Sequence, residues 1–316
     1  MVDITQDLLQ IGYFPAPMQA LIDREFRCHD LATLERDDAL RQRVRGIVTR
    51  SNFEVSAAAM ERLPQLGIVA VCGVGYDKVA LDFAAARGVV ITHTPAVLDA
   101  AVAELGVGLL LSLLRRLPQA DRHVRDGRWA QTAFPLATDL AGKRVGIVGL
   151  GRIGHEIARR LEPFGVTLAY HGRTDQQIAW RFHAELLSLA RDSDVLILTA
   201  PGGPATARAV NAAVLDALGA DGFLVNIARG SLVDQTALID ALSRRSVAGA
   251  ALDVFDDEPT IDPRLFTLDN VVLAPHIGSA TVETRLAMTR LTLDNLHRFF
   301  AQEPVLTPVM TLVPAP

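Results

Sequence analysis

Residues Arg144–Gly154 read RVGIVGLGRIG, an apolar run that enters Gly149-Leu150-Gly151-Arg152-Ile153-Gly154. A strand followed by G-x-G-x-x-G and then a helix has a physical rationale at each glycine. The first permits a tight turn, the second lets the backbone approach a pyrophosphate, and the third allows close helix–strand packing. Phosphates would then face the N–H groups at the start of the helix, where Ile153 and Arg152 sit beside the glycines. The triplet alone is a weak signal, because structural turns also produce it. Here a further apolar run, Val166–Tyr170, follows at the spacing of a βαβ unit.

The end of that second run distinguishes between two dinucleotides. An acidic residue there accepts from a ribose 2′-OH, whereas an arginine pairs with a 2′-phosphate. The chain reads Tyr170-His171-Gly172-Arg173-Thr174. Arg173 and Thr174, with Arg152 nearby, therefore predict NADPH (NADP) as the cofactor. Asp175 comes one step later and leaves NADH possible but less favoured. Arg173 also fits a solvated surface position.

Outward from this motif, apolar runs recur at Val145–Val148, Val195–Thr199, Phe223–Ile227, Ala248–Val254 and Val271–Leu273. They alternate with helical patterns such as Gly154–Glu162 and Gln235–Ser243. Nearly continuous apolar runs suit strands covered on both faces, and the alternation predicts a doubly wound parallel sheet. Before Val97 the same rhythm repeats on a smaller scale. Strands are expected at Gly46–Thr49, Ile68–Val71 and Val89–Thr92, and helices at Pro17–Phe26, Val55–Leu63 and Lys78–Arg87. Asp99 is expected to cap a helix running to about Arg116. A last helix is expected over Thr281–Phe300, followed by Pro304, Pro308, Pro314 and Pro316.

Composition narrows the classes further. Of 316 residues, half are hydrophobic, enough for a sizeable core, and the net charge of −5 argues against a nucleic-acid partner. No apolar run reaches the roughly 18 residues of a membrane span. The best candidate, Leu105–Leu114, is broken by Gly106, Gly108 and Ser112. The opening MVDITQDLLQ lacks the pattern of a secretory signal. Cys28 and Cys72 form no metal-ligand spacing and no disulfide framework. A cytoplasmic enzyme with no metal and no membrane association is expected.

Three segments carry reactive side chains just beyond expected strands. Arg229 lies in NIARGS, Glu258 five residues after Asp253 in LDVFDDEP, and His276 in APHIGSAT. In open α/β sheets, ligands collect beyond the carboxyl ends of strands. Arg229 can hold a carboxylate or carbonyl through directed N–H bonds. His276 can donate a proton to a carbonyl oxygen while Glu258 orients the ring and favours its charged form. That is the chemistry of 2-keto acid reduction. Each residue alone also fits a surface ion pair, a loop or a turn. A second glycine loop, Cys72-Gly73-Val74-Gly75-Tyr76-Asp77, offers the N–H groups of Val74 and Gly75 to an anion. It equally fits an ordinary strand-to-helix turn.

Taken together, VGLGRIG, NIARGSLVD, AALDVFDDEP and APHIGSAT resemble the D-isomer-specific 2-hydroxyacid dehydrogenase family, from about Gly46 to Pro308. VGYDKV, LLRR followed by VRDGRW, SATVETR and LTPV are most similar to its glyoxylate/hydroxypyruvate and hydroxyphenylpyruvate reductases. The resemblance implies two Rossmann-like domains. One is a dinucleotide-binding domain over 99–282, and the other is a smaller flavodoxin-like substrate domain of 1–98 and 283–316. It implies Arg229, Glu258 and His276 as catalytic residues, Asp253 near the nicotinamide, and Val74 and Gly75 at the carboxylate of a small 2-keto acid. It also implies a homodimer joined through an arm, Arg122–Thr138, carrying Trp129 and Phe134. By pattern alone Trp129 fits a core position equally well. No C-terminal regulatory domain is expected, and Glu258 sets the chain apart from the formate dehydrogenases. Two alternatives remain beside glyoxylate and hydroxypyruvate reduction. One is an aryl-pyruvate reductase with Arg50-Ser51-Asn52-Phe53 near the substrate side chain; the other is a nucleotide-sensing, corepressor-like binding protein.

Overall fold

The computed structural model describes residues 6–309. The early acidic residue Asp3 and the prolines Pro314 and Pro316 lie outside the described residues. The chain divides into two units, one formed by the segment up to Leu98 together with that from Thr281, the other by Asp99–Ala280.

In the Asp99–Ala280 unit, the strands are β6 (Arg144–Val148), β7 (Thr167–His171), β8 (Arg181–His183), β9 (Val195–Leu198), β10 (Phe223–Asn226), β11 (Gly249–Leu252) and β12 (Val271–Leu273). All pairings are parallel, in the order β12-β11-β10-β9-β6-β7-β8. The β-branched and leucine-rich runs explain this burial. Val145, Val195, Leu196, Ile197, Leu198, Leu224 and Val225 are completely inaccessible, as strands covered on both faces require. The order reverses between β6 and β9, so connections leave the sheet in opposite directions there. That switch point opens a crevice beyond the carboxyl ends of the strands, where open α/β sheets bind ligands. The helix Asp99–Leu114 packs against β10, β11 and the helix Arg152–Leu161. Gly106 permits the approach, since a Cβ there would lie 2.9 Å from Ile227.

The other unit is built on β1 (Asp7–Ile11), β2 (Arg27–His29), β3 (Gly46–Arg50), β4 (Ile68–Cys72) and β5 (Val90–Thr92). The order is β2-β1-β3-β4-β5, again all parallel, which is the flavodoxin-like arrangement. The helix Val282–Phe300 packs on β4 and on the helix Ala16–Ile22. Thr281 starts it, accepting from Thr284 N–H at 3.1 Å. The chain then crosses β5 as a short strap, with Pro308 bridging Thr92 and Val309 N–H donating to Ile91 at 2.7 Å.

Several boundaries differ from the sequence reading. Asp99 is not a cap but the first helical residue, because its carboxylate accepts from Arg152 Nε at 2.9 Å instead of from its own helix. That helix stops at Leu114, two residues before Arg116 takes a left-handed conformation. The helices Ala16–Ile22, Ala57–Glu61 and Leu81–Ala86 are shorter than expected. Trp129 is 70% exposed, which removes the core reading. Among the described residues, no helix is long and apolar enough to cross a membrane.

Candidate active site

The glycine turn follows β6. Gly149 has φ +95°, and a Cβ there would fall 2.5 Å from the Cα of Ala200, so backbone conformation and packing both demand glycine. A Cβ on Gly154 would sit 2.7 Å from the carbonyl oxygen of Gly149, whereas nothing lies within 4 Å of the same point on exposed Gly151. Two glycines are thus fixed by the protein's own packing, and the middle one leaves its backbone open at the start of the helix Arg152–Leu161. Ile153 is half-buried behind it. Arg152 is not free to serve a ligand with its Nε, which is committed to buried Asp99.

Beyond β7, Arg173 and Thr174 are exposed, and among the described residues Arg173 forms no hydrogen bond or ion pair. Asp175 is already engaged. Its Oδ1 accepts from Gln177 N–H at 2.9 Å and from the hydroxyl of fully buried Tyr170 at 2.8 Å. The Gln177 N–H first, and then Tyr170, hold its carboxyl below the usual range. The acidic residue that would signal NAD is therefore spent on the loop's own shape. Gln176 completes that loop by donating to the carbonyl of Leu150 at 2.6 Å, tying it to the glycine turn. These features fit a dinucleotide carrying a 2′-phosphate.

Arg229, Glu258 and His276 follow the neighbouring parallel strands β10, β11 and β12, so all three leave the sheet at its carboxyl edge. Asn226, the last residue of β10, is 1% exposed and shapes the Arg229 turn. Its Oδ1 accepts from Ala228 N–H at 3.0 Å, and its Nδ2 donates to the carbonyl of Arg229 at 2.9 Å. Gly230 then lets this turn touch the next loop, because a Cβ would overlap the carbonyl carbon of Phe255 at 1.9 Å.

His276 and Glu258 are in direct contact. His276 Nδ1 lies 2.7 Å from Glu258 Oε2, and Oε1 of the same carboxylate accepts from Phe255 N–H at 3.0 Å. Holding both oxygens fixes the carboxylate, and the carboxylate fixes the ring. The side chains are 31% and 19% exposed, so the pair is screened from bulk water without being sealed from a ligand. His276 itself has φ +53°, a region that costs a non-glycine residue free energy.

Asp253 explains how that conformation is held. Its carboxylate accepts from Ile277 N–H at 2.7 Å and Gly278 N–H at 2.8 Å, and its carbonyl accepts from His276 N–H at 2.9 Å. Burial pushes its carboxyl above the usual range, opposed by Ile277 N–H, the His276 ring and Gly278 N–H. Its observed bonds are to the loop that carries His276.

Val74 and Gly75 belong to the other unit, just beyond β4. The carbonyl of Gly73 accepts from Thr94 N–H at 2.8 Å, and that of Val74 from His93 Nδ1 at 3.0 Å. Sequence reasoning missed Asn226 and His93. Asn226 was visible as the first letter of NIARGS, but nothing local shows that a residue three positions upstream folds back on Arg229.

Comparison with known proteins identifies the family. Residues 107–278 match the family model described as D-isomer specific 2-hydroxyacid dehydrogenase, NAD binding domain. A glyoxylate/hydroxypyruvate reductase A of Arabidopsis thaliana is 45% identical over 271 residues, 85% of this chain and 87% of that protein. A 2-ketogluconate reductase of Gluconobacter oxydans is 41% identical over 307 residues, 96% of this chain and 98% of that one. Among solved structures, an NADPH-dependent glyoxylate/hydroxypyruvate reductase from Sinorhizobium meliloti, in complex with NADP and malonate, superposes with a TM-score of 0.91 at 44% identity, over 96% of each chain.

The Asn226 clamp gives a direct expectation. Asn226→Leu keeps the branching and number of side-chain heavy atoms but leaves Ala228 N–H and the Arg229 carbonyl without these partners. Chemical denaturation should show a loss of about 1–3 kcal/mol per buried group left unpaired. A variant as stable as the parent would mean that the turn does not depend on the clamp.

Proposed function

The chain belongs to the D-isomer specific 2-hydroxyacid dehydrogenase family, and we propose that it reduces small 2-keto acids, glyoxylate and hydroxypyruvate, to 2-hydroxy acids with NADPH. The observation that carries this reading is the His276–Glu258 contact, formed by residues that follow two neighbouring parallel strands, with Arg229 following the next strand of the same sheet.

When bound, the nicotinamide supplies a hydride. The residues of the chain do the rest. Gly149, Gly151, Ile153 and Gly154 shape the phosphate turn, and Arg173 with Thr174 meets the 2′-phosphate. Arg229 holds the keto acid by its carboxylate or carbonyl oxygen, supplying N–H donors where negative charge develops. Glu258 occupies Nδ1 of His276, which leaves Nε2 as the nitrogen that faces substrate. As hydride reaches the carbonyl carbon, Nε2 gives its proton to the carbonyl oxygen, and the neutral ring is then reprotonated from solvent. Asp253 acts through the loop it holds. The N–H groups of Val74 and Gly75 receive the substrate carboxylate.

The proposed assembly and location draw on the exposed apolar side chains and the cysteines. Leu117, Val124, Trp129 and Leu136 are 52%, 55%, 70% and 99% exposed along one stretch of the Asp99–Ala280 unit. Such an apolar stretch suits a homodimer arm. Cys28 and Cys72 are unpaired thiols, in keeping with a cytoplasmic enzyme.

A kinetic panel of glyoxylate, hydroxypyruvate and hydroxyphenylpyruvate, each with NADPH and NADH, tests the assignment. The two small acids with NADPH should give the highest kcat/KM. A higher value for hydroxyphenylpyruvate would favour the aryl-pyruvate alternative, and no turnover with any of them would favour a nucleotide-sensing binding protein. In the same assay His276→Ala should lower kcat about 10²–10⁴-fold while NADPH binding is retained. A near-normal kcat would mean that another acid supplies the proton.

Arg173→Asp should weaken NADPH use and relatively improve NADH use. One charge-assisted contact is worth about 1.5–3 kcal/mol, so the NADPH/NADH ratio of kcat/KM should fall about tenfold to over a hundredfold. An unchanged ratio would remove Arg173 from the 2′-phosphate site.

A further inference from the structure

We propose that His93 is a positioning residue that aims the Gly75 N–H at the substrate carboxylate; the inference rests on the reading of Val74 and Gly75 as the carboxylate donors.

A trans peptide directs its N–H opposite to its C=O. The Gly73 carbonyl points to Thr94 N–H, and the Val74 carbonyl points to the His93 ring. His93 and Thr94 are consecutive residues just past β5. Both carbonyls are thus drawn toward the β5 end, and the N–H groups of Val74 and Gly75 are directed away from it as a pair. Among the described residues, neither N–H meets an acceptor. Two successive outward N–H groups are an anion-binding arrangement.

The two fastenings differ in kind. Thr94 uses its backbone, which any residue but proline would supply. His93 uses its side chain, so the orientation of the Val74–Gly75 peptide is written in the sequence at that one position. A carbonyl can only accept, so Nδ1 carries the hydrogen. The ring is steadied edge-on by Tyr76, with centroids 5.4 Å apart.

The backbone of His93 is in turn fixed by the strap Leu306–Val309, the LTPV of the sequence. Thr307 Oγ1 donates to the His93 carbonyl at 2.6 Å, and His93 N–H donates to the Thr307 carbonyl at 3.2 Å. Asn295, fully buried in the last helix, holds Thr307 through its hydroxyl at 2.8 Å and its N–H at 3.0 Å. A chain of hydrogen bonds therefore runs from the helix Val282–Phe300 through the strap and His93 to the glycine loop. That gives the C-terminal motif a task at the substrate.

The test is steady-state kinetics with glyoxylate at saturating NADPH, on the full-length enzyme and three variants. His93→Phe keeps a ring against Tyr76 but removes the donor. Its KM for glyoxylate should rise about tenfold, the low end for one charge-assisted hydrogen bond, with kcat within about twofold and the NADPH Kd unchanged. His93→Asn hangs an amide nitrogen from the same position as Nδ1 and should restore the KM. Gly75→Pro deletes the N–H itself and should raise the KM whatever occupies position 93. An unchanged KM in His93→Phe, or an equal rise in His93→Asn, overturns the role of His93 while the carboxylate reading stands on Gly75→Pro. An unchanged KM in Gly75→Pro overturns the carboxylate reading, and the inference with it.

Discussion

The 2.7 Å bond between His276 Nδ1 and Glu258 Oε2 is the constraint that the rest of the site is arranged to satisfy. In the proposed reaction the histidine needs one nitrogen anchored and the other free to give up a proton. Neither partner is held by its own rotamer preference alone. Glu258 is pinned by Phe255 N–H, and His276 sits in a left-handed backbone conformation that isolated chains avoid. Asp253 meets that cost. Three of its bonds fall on residues 276–278, and its burial is tolerable because its oxygens meet two peptide N–H groups.

Those loops can meet because the sheet is parallel throughout. Each of β10, β11 and β12 ends at the same edge, so residues about 30 and 20 positions apart in sequence become neighbours without a dedicated scaffold. Gly230 removes the last obstruction, since any side chain there would collide with backbone rather than with a flexible group. The glycine turn after β6 lies at the same edge of the same sheet. The glycine turn and His276 therefore share one sheet edge, the placement that the proposed hydride and proton transfer needs.

Much of this was legible in the sequence. The Val/Ile/Leu runs of β6, β9 and β10 announced strands buried on both faces, and RVGIVGLGRIG announced the turn from β6 into the helix Arg152–Leu161. Glu258 and His276 stood out because few arrangements place a carboxylate and an imidazole just past consecutive strands. What escaped was long-range. The strands β1 and β2 carry Gln10, Arg27 and His29, so their composition did not resemble a buried run. β8, at the far edge beyond β7, has Arg181 and His183 and gave no signal. Asp99 looked like a cap because Asp before an apolar helix usually is one. An arginine 53 residues later claims its carboxylate, and no local pattern records that. The Asn226 clamp and the His93 fastening are invisible for the same reason, as each becomes meaningful only once the peptide it bonds is in place.

The central claim is that Glu258 fixes the His276 ring by anchoring Nδ1, so that Nε2 is the nitrogen presented to the substrate. It is tested most directly by kcat for glyoxylate reduction at saturating NADPH, for the parent enzyme, Glu258→Gln and Glu258→Ala. The amide keeps an oxygen to accept from Nδ1, whereas the alanine leaves the ring without that anchor. The account predicts that Glu258→Ala lowers kcat toward that of His276→Ala, that Glu258→Gln retains more of it, and that NADPH binding is unchanged in both. A parental kcat in Glu258→Ala would contradict it.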